Sequence, residues 1–369
     1  MDSSSTIAEQ LADRIGQLDT RAVPVLLRAQ LENLVLDVFG LCLGARKTDY
    51  VRSARNGWDE PGPCTRIGHA RGASAAAAAF LNGTAAHGED FDDTFEGGPV
   101  HAGAVIVPAV LAACEQEGRT GAAALRGIGV GVETLCRLSL VKPKAIHRAG
   151  FHPTAVLGAC AAAAGVGAAL RLDRAGLVNA MGIAGSFASG IIEYLAEGAW
   201  TKRLHTGWAA QSGLRAARLA RAGFVGPRSV FEGAHGLMFA FARAEEADWA
   251  QLLDGFGTRW VAEGLAFKPY PCGTMIQPYV DCALKLRTRA TPDQIETVLC
   301  RVAATARRSR CSSLSAPRSA IWPQRVSSPN CSEPYRPGGA SFPHQNSNGW
   351  TTHEMRLARR VSRAPDTIR

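Results

Sequence analysis

Between Leu81 and Pro108 the chain reads LNGTAAHGEDFDDTFEGGPVHAGAVIVP. It gathers His87, Glu89, Asp90, Asp92, Asp93, Thr94, Glu96 and His101 between two apolar runs. Imidazoles and carboxylates so placed are costly to bury unless they pair, bind a ligand or do chemistry. Three later stretches carry compatible groups. In Gly150-Phe151-His152-Pro153-Thr154 an imidazole precedes a predicted helix, where backbone N–H groups attract anions and keep a ring neutral. In GIIEYLAEGAWTKRLHTGWAAQSG, residues 190–213, Lys202, Arg203 and His205 have no compensating acid shortly downstream, a trio suited to a carboxylate. Phe267-Lys268-Pro269-Tyr270-Pro271-Cys272-Gly273 is a rigid extended entry to a helix, presenting Lys268 and Tyr270. The four stretches predict a pocket for a small acid, with histidine as acid or base and Lys/Arg as anion clamps. Each residue alone has a plainer reading: helix caps at Asp90, Asp93 and His152, a core histidine at 87, a solvated basic loop, a structural linker.

Other chemistries find less support. No Walker loop is present and no G-x-G-x-x-G follows a strand, so no nucleotide cofactor is expected. Ten cysteines occur singly, with no C-x-x-C pair, which argues against a thiolate zinc site and for a reducing compartment. Asp92-Asp93-Thr94-Phe95-Glu96 fits the D-D-x-x-[DE] pattern of Mg-dependent isoprenoid synthases, but no second acidic motif follows. The expectation is no metal and no cofactor.

The elements that must position these groups are mostly helices. Apolar spacing and Ala content predict them over residues 6–18, 24–45, 74–81, 102–116, 121–140, 154–170, 174–195 and 207–222. The Ser3–Ser5 run, Asp173 and Thr206 are candidate caps, and residues 47–68 read as a loop. The first convincing strand is Ile295 to Val302. On a helical turn His87, Asp90 and Thr94 would share a face. The run Phe151 to Leu170 approaches the length of a membrane span, but its Ala/Gly content favours a buried helix. The start of the chain lacks a basic region ahead of an apolar core, so no signal peptide is read and a soluble, cytoplasmic protein is expected.

The 369 residues are 46% hydrophobic and 20% charged, ordinary for a globular chain of one or two domains. The net charge of +9 sits at the end: residues 306–369 hold eleven Arg and three acids, leaving +1 for the rest. The body therefore gives no reason to expect nucleic acid or membrane as a partner. After about Ala303 the chain turns rich in Arg, Ser and Pro without periodicity. It reads either as a disordered basic tail or, preferably, as an out-of-frame translation of a GC-rich region.

The strings HGEDFDDT, HAGAVIVPA, GFHPTAVLG, EYLAEGAWTKRLHTGWAA and FKPYPCGT, in that order, resemble the MmgE/PrpD family, whose members include dehydratases, decarboxylases and epimerases of small carboxylates. The likeness covers about residues 5–302. It implies a mainly α fold: an all-helical domain over 1–266, the start of a small α/β lid domain over 267–303, and an anomalous tail over 304–369. It also implies a homodimer and a metal-free site between domain and lid. By position it assigns His101, His152 and Asp90 as catalytic, and Thr94, Lys202 and Lys268 as substrate-binding, with Arg203 in support of Lys202. Two departures stand out. Gly273 occupies the place of a histidine found in decarboxylase-like members, which favours a dehydratase of the 2-methylcitrate type or an epimerase. The remainder of the lid is replaced by the tail, so an inactive remnant or an acid-binding helical dimer is the alternative reading.

Overall fold

Thr6 opens the first helix through a capping box: its hydroxyl accepts the Glu9 N–H while the Glu9 carboxylate accepts the Thr6 N–H. The computed structural model describes residues 5–18, 24–243, 246–289, 291, 294–301, 354–359 and 366–368. Its elements run α1 (Ile7–Gln17), α2 (Val25–Ala45), α3 (Asp49–Gly57), α4 (Ala75–His87), β1 (Thr94–Phe95), α5 (Gly103–Gln116) and α6 (Gly121–Val141). There follow α7 (Ala145–Arg148), α8 (Pro153–Leu170), α9 (Arg174–Phe187), α10 (Tyr194–Glu197), α11 (Thr201–Arg221), α12 (Leu237–Ala242), α13 (Ala250–Leu253) and β2 (Leu265–Ala266). The fold is mainly α, as expected.

Three local expectations are corrected. The predicted loop over 47–68 contains α3, a short helix whose polar sequence hides a buried Tyr50–Val51 edge. The helix expected over 174–195 stops at Phe187, because Gly190 adopts φ +113° and turns its carbonyl to the His152 N–H at 2.8 Å. Finally, α11 starts at Thr201 rather than near 207. Thr206 therefore lies inside the helix, where its hydroxyl donates to the Gly83 carbonyl (2.8 Å) instead of capping. Asp173 does cap, accepting the Gly176 N–H at the start of α9 (2.7 Å).

Small residues set the packing. Every residue of α8 is buried, which places this membrane-length apolar helix wholly inside the core. Around it pack α5, α6, α9 and α11, and α11 also lies against α4. Such close approach requires the missing side chains: a Cβ on Gly165 of α8 would sit 2.7 Å from the Gly127 carbonyl of α6. One on Gly83 of α4 would sit 2.8 Å from the Gly207 Cα of α11. Because these neighbours are backbone atoms, they cannot rotate away. Gly207→Ala is expected to force α4 and α11 apart and to lower stability by about 1–3 kcal/mol or more, the range for overpacked cores. Urea unfolding checks this, and an unchanged midpoint would refute it.

One charged pair lies in this core. Glu133 and Arg137 pair along α6 with both side chains fully buried. Arg137 donates to the carbonyls of Gln251 (2.9 Å), Asp254 (2.9 Å) and Arg259 (2.6 Å), and Glu133 accepts the N–H groups of Val261 (3.1 Å) and Ala262 (2.9 Å). The pair thereby ties the irregular segment before β2 to the bundle. β2 then pairs antiparallel with β1, Thr94 opposite Ala266 and Phe95 opposite Leu265.

The chain divides into two compact units, Met1–Gln277 and Pro278–Arg369. The second contains nearly all of α14 (Gln277–Leu286) and an antiparallel sheet ordered β3 (Ile295–Arg301), β4 (Glu354–Arg359), β5 (Asp366–Ile368). Cys282 and Leu286 are buried there against Tyr279 and Ile295. The strand expected from Ile295 is present. Most of the expected tail, residues 304–353, 360–365 and 369, lies outside the described residues; β4 and β5 come from its remainder.

Candidate active site

The acidic stretch does not continue the helix that precedes it. α4 ends at His87, and Asp90 takes the left-handed conformation (φ 54°), which Asp tolerates better than most residues. The shared helical face expected for His87, Asp90 and Thr94 is thus corrected: a turn, not a 3.6-residue period, brings the stretch together. In that turn Asp90 accepts from two ammonium groups, Lys268 Nζ at Oδ1 (2.8 Å) and Lys202 Nζ at Oδ2 (2.9 Å). Lys268 also donates to the Asp90 carbonyl (3.0 Å) and lies 3.4 Å from Asp92 Oδ1. The β1–β2 pairing delivers Lys268 to this place, two residues beyond Ala266.

Asp92 is fully buried, its Oδ2 2.6 Å from His87 Nδ1 and its Oδ1 3.8 Å from His101 Nδ1. Asp93 caps α5, accepting the N–H groups of Ala102 (2.9 Å) and Gly103 (2.8 Å). His101 Nδ1 lies 2.7 Å from the Asp93 carbonyl oxygen. A carbonyl only accepts, so Nδ1 carries the proton and Nε2 of the neutral ring keeps its lone pair. Thr154 holds the backbone of His101 through its hydroxyl (3.3 Å). His152 occupies the N-cap position of α8 ahead of Pro153 without a side-chain capping bond, and its Nδ1 lies 3.3 Å from His205 Nδ1 on α11. The imidazoles form one cluster: ring centroids are 5.1 Å apart for His87–His101, 5.7 Å for His87–His152 and 5.4 Å for His152–His205. Tyr194 stands over His205 at 5.8 Å, and Thr94 Oγ1 meets Thr274 Oγ1 at 3.4 Å.

Burial decides the charge states. It depresses His101 to about 4 and His205 to about 4, and carries His152 well below its ordinary value, helped by the neighbouring imidazoles. These rings are neutral near pH 7. Burial also opposes the charge on Lys268, but Asp92 and Asp90 outweigh it and raise the ammonium above the usual lysine range. Conversely, burial would lift Asp90 and Asp92, yet both are held below the ordinary carboxylate range. Lys202 and Lys268 do this for Asp90; His87, His101 and Lys268 do it for Asp92. Burial and the charge of Asp92 push Asp93 up to about 7 and Asp37 up to about 6. The result is a largely buried site holding fixed cations, ionised acceptors and the uncharged rings of His101, His152 and His205. Such a combination has the groups needed to hold a carboxylate and to accept or donate a proton.

Of the residues expected from sequence, His101, His152, Asp90, Lys202 and Lys268 converge here, and Thr94 lies on the adjoining β1. Arg203 is engaged elsewhere: it pairs with Glu89 (3.2 Å) and lies over the Tyr50 ring at 4.4 Å. The sequence assigns no site role to Asp92 or Tyr194; it places His87 in the acidic stretch and His205 in the trio with Lys202 and Arg203, with a catalytic role for neither. A signal existed for His205, which is three residues from Lys202 and shares its helical face, whereas Arg203 does not. Among the described residues no group of three or more His, Cys, Asp and Glu is disposed to hold a metal ion. The isoprenoid-synthase motif does not assemble either, since Asp93 is a cap, Asp92 is bonded to His87 and Lys268, and Glu96 is exposed.

A helical bundle whose buried site combines neutral imidazoles with lysine–carboxylate pairs defines a class of protein suited to proton transfer on small acids. The model of the MmgE/PrpD N-terminal domain matches residues 9–250, and the chain belongs to the MmgE/PrpD family. It is similar to cis-aconitate decarboxylase of Aspergillus terreus (strain NIH 2624 / FGSC A1156), 28% identical over 306 residues covering 78% of this chain and 61% of that protein. It is also similar to the Homo sapiens cis-aconitate decarboxylase, 29% identical over 75% of this chain and 56% of the relative, and to the Mus musculus one, 31% over 61% and 48%. The chain thus spans 61% or less of the length of these relatives.

Proposed function

We propose that this protein is a lyase-type enzyme that acts on a small di- or tricarboxylate by proton transfer at a carbon next to a carboxylate. The observation that carries this reading is the juxtaposition of Lys202 and Lys268, both held on Asp90, with the neutral rings of His101 and His152. A substrate carboxylate would replace part of the Asp90 contact on Lys202, the more exposed of the two ammonium groups. Removing the adjacent proton places negative charge on the carboxylate oxygens, where fixed cations in a water-poor site stabilise it most. His101, with Nε2 free to accept, is the base; His152 returns the proton or protonates the leaving group. Thr94 hydrogen-bonds the substrate, and Arg203 steadies the segment carrying Lys202.

Two reactions that share a proton transfer at carbon and a carboxylate-stabilised negative charge divide the lyase readings. Loss of hydroxide from the neighbouring carbon gives a dehydratase of the 2-methylcitrate type, which the glycine at 273 favours. Loss of CO₂, with no proton removed first, leaves the electron pair of the broken C–C bond on a carbon that is then protonated; this gives a decarboxylase, which the similarity to cis-aconitate decarboxylases favours. Proton wash-in from D₂O, followed by NMR on 2-methylcitrate and on cis-aconitate, tests the shared step and separates the products. His152→Ala is expected to lose exchange by about 10²–10⁴-fold while calorimetric binding persists. Undiminished exchange in that variant would remove His152 from the mechanism. Binding without exchange in the parent protein would favour an acid-binding protein instead. The same reading takes the molecule as a cytoplasmic homodimer, and light scattering in solution tests the dimer.

A further inference from the structure

His87 is an imidazole of the cluster to which the proposed chemistry gives no task. It closes α4 and is buried to 1% exposure. Its Nδ1 lies 2.6 Å from Asp92 Oδ2, while its Nε2 is buried and has no hydrogen-bond partner. From this contact we infer that His87 is a positioning residue. It donates its Nδ1 proton to Asp92 and so orients the one carboxylate that serves Lys268 and His101 together.

The geometry of Asp92 supports this. One oxygen faces His87, and the other lies 3.4 Å from Lys268 Nζ and 3.8 Å from His101 Nδ1. A carboxylate with one oxygen pinned cannot rotate about its C–C bond without losing the short contact. Its second oxygen therefore stays between the clamp and the base. Asp92 is an ionised acceptor, so the shared proton sits on the imidazole, at Nδ1. The groups that face Asp92 are His87 from α4, His101 from the start of α5 and Lys268 from the segment after β2. Asp93 lies beside it in sequence, and Asp37 of α2 is close enough to feel its charge.

The inference rests on the proposed carboxylate site, so the experiment has a part that does not depend on it. Long-range ¹H–¹⁵N spectra of histidine-labelled protein are expected to show His87 with its proton on Nδ1. An Nε2–H tautomer would overturn the assignment whatever the protein binds. The second part titrates cis-aconitate by calorimetry into three variants. The asparagine amide nitrogen takes the place of Nδ1 and the glutamine nitrogen that of Nε2. His87→Asn is therefore expected to keep affinity within about threefold. His87→Gln and His87→Leu should lose about tenfold or more, and the acid limit of binding should move to higher pH. The sign follows because Asp92 loses a donor that favours its ionised form. Equal affinity in all three, or retention in His87→Gln alone, would overturn the role. Should the parent protein bind no cis-aconitate, the same titration uses 2-methylcitrate; if it binds neither, the proposed function fails while the spectra still decide the dyad.

Discussion

Replacing Lys268 by methionine is expected to lower the unfolding free energy at pH 7 by about 3–5 kcal/mol and to weaken carboxylate binding by about 10- to 100-fold. The first figure is the ordinary cost of removing one partner from a buried ion pair, and the second that of one charge-assisted hydrogen bond. The Lys268 side chain is 1% exposed and that of Asp92 is 0% exposed, so solvent screens neither. Methionine fills the space but leaves Asp92 with only imidazole partners and Asp90 with Lys202 alone. The loss depends on pH with a definite sign. Asp92 and Asp90 titrate below the normal carboxylate value in the folded protein, so their stabilisation is complete above that value. It disappears as pH falls through their depressed folded values. The gap between parent and variant should therefore be widest at neutral pH and narrow below about pH 4. Urea midpoints at pH 7 and pH 3 check both statements, and a gap that is equal at the two pH values would contradict the electrostatic account.

Arg137→Met is expected to cost a similar ~3–5 kcal/mol without touching any ligand. It strands the Glu133 carboxylate in the core and removes the donors to the carbonyls of Gln251, Asp254 and Arg259. Converting Glu133 to leucine in the same chain removes the stranded charge, so the double variant should recover part of the loss. It should not recover all of it, because those carbonyls and the amides of Val261 and Ala262 stay unpaired. A double-mutant cycle on thermal or urea unfolding measures the coupling. Because the same segment leads into β2 and Lys268, Arg137→Met should also weaken cis-aconitate binding. Unaltered binding in a folded variant would separate the core pair from the site.

Most of the helical scaffold was legible because its helices announce themselves by Ala-rich periodicity and by caps such as Asp173. What stayed hidden depended on partners distant in sequence. The early start of α11 could not be read from residues 201–206, whose Lys, Arg and His look like a loop until Asp90 and the imidazole cluster stand opposite. That misplacement also concealed the difference between His205, which faces the site, and Arg203, which faces Glu89 and Tyr50. The break after Phe187 was equally silent, since it follows from the contact between Gly190 and His152. In the acidic stretch residue types alone marked the place, but not the division of labour. Asp93 supports α5, Asp92 holds the buried bonds, and Asp90 takes both lysines.

The β1–β2 pairing has a consequence for how the molecule comes into being. Lys268 follows Asp90 by 178 residues, and a ribosome adding about 5–20 residues per second needs on the order of ten to forty seconds to cover that distance. During that interval α4 and α5 are available to dock with Asp92 between them, a carboxylate that the final structure seals away, while the buried ammonium that faces it does not yet exist. The nascent bundle must therefore keep this corner hydrated or protonated until the strand after Gly264 arrives. The last stretch of the helical unit to be synthesised then both completes the anion clamp and allows the corner to dry.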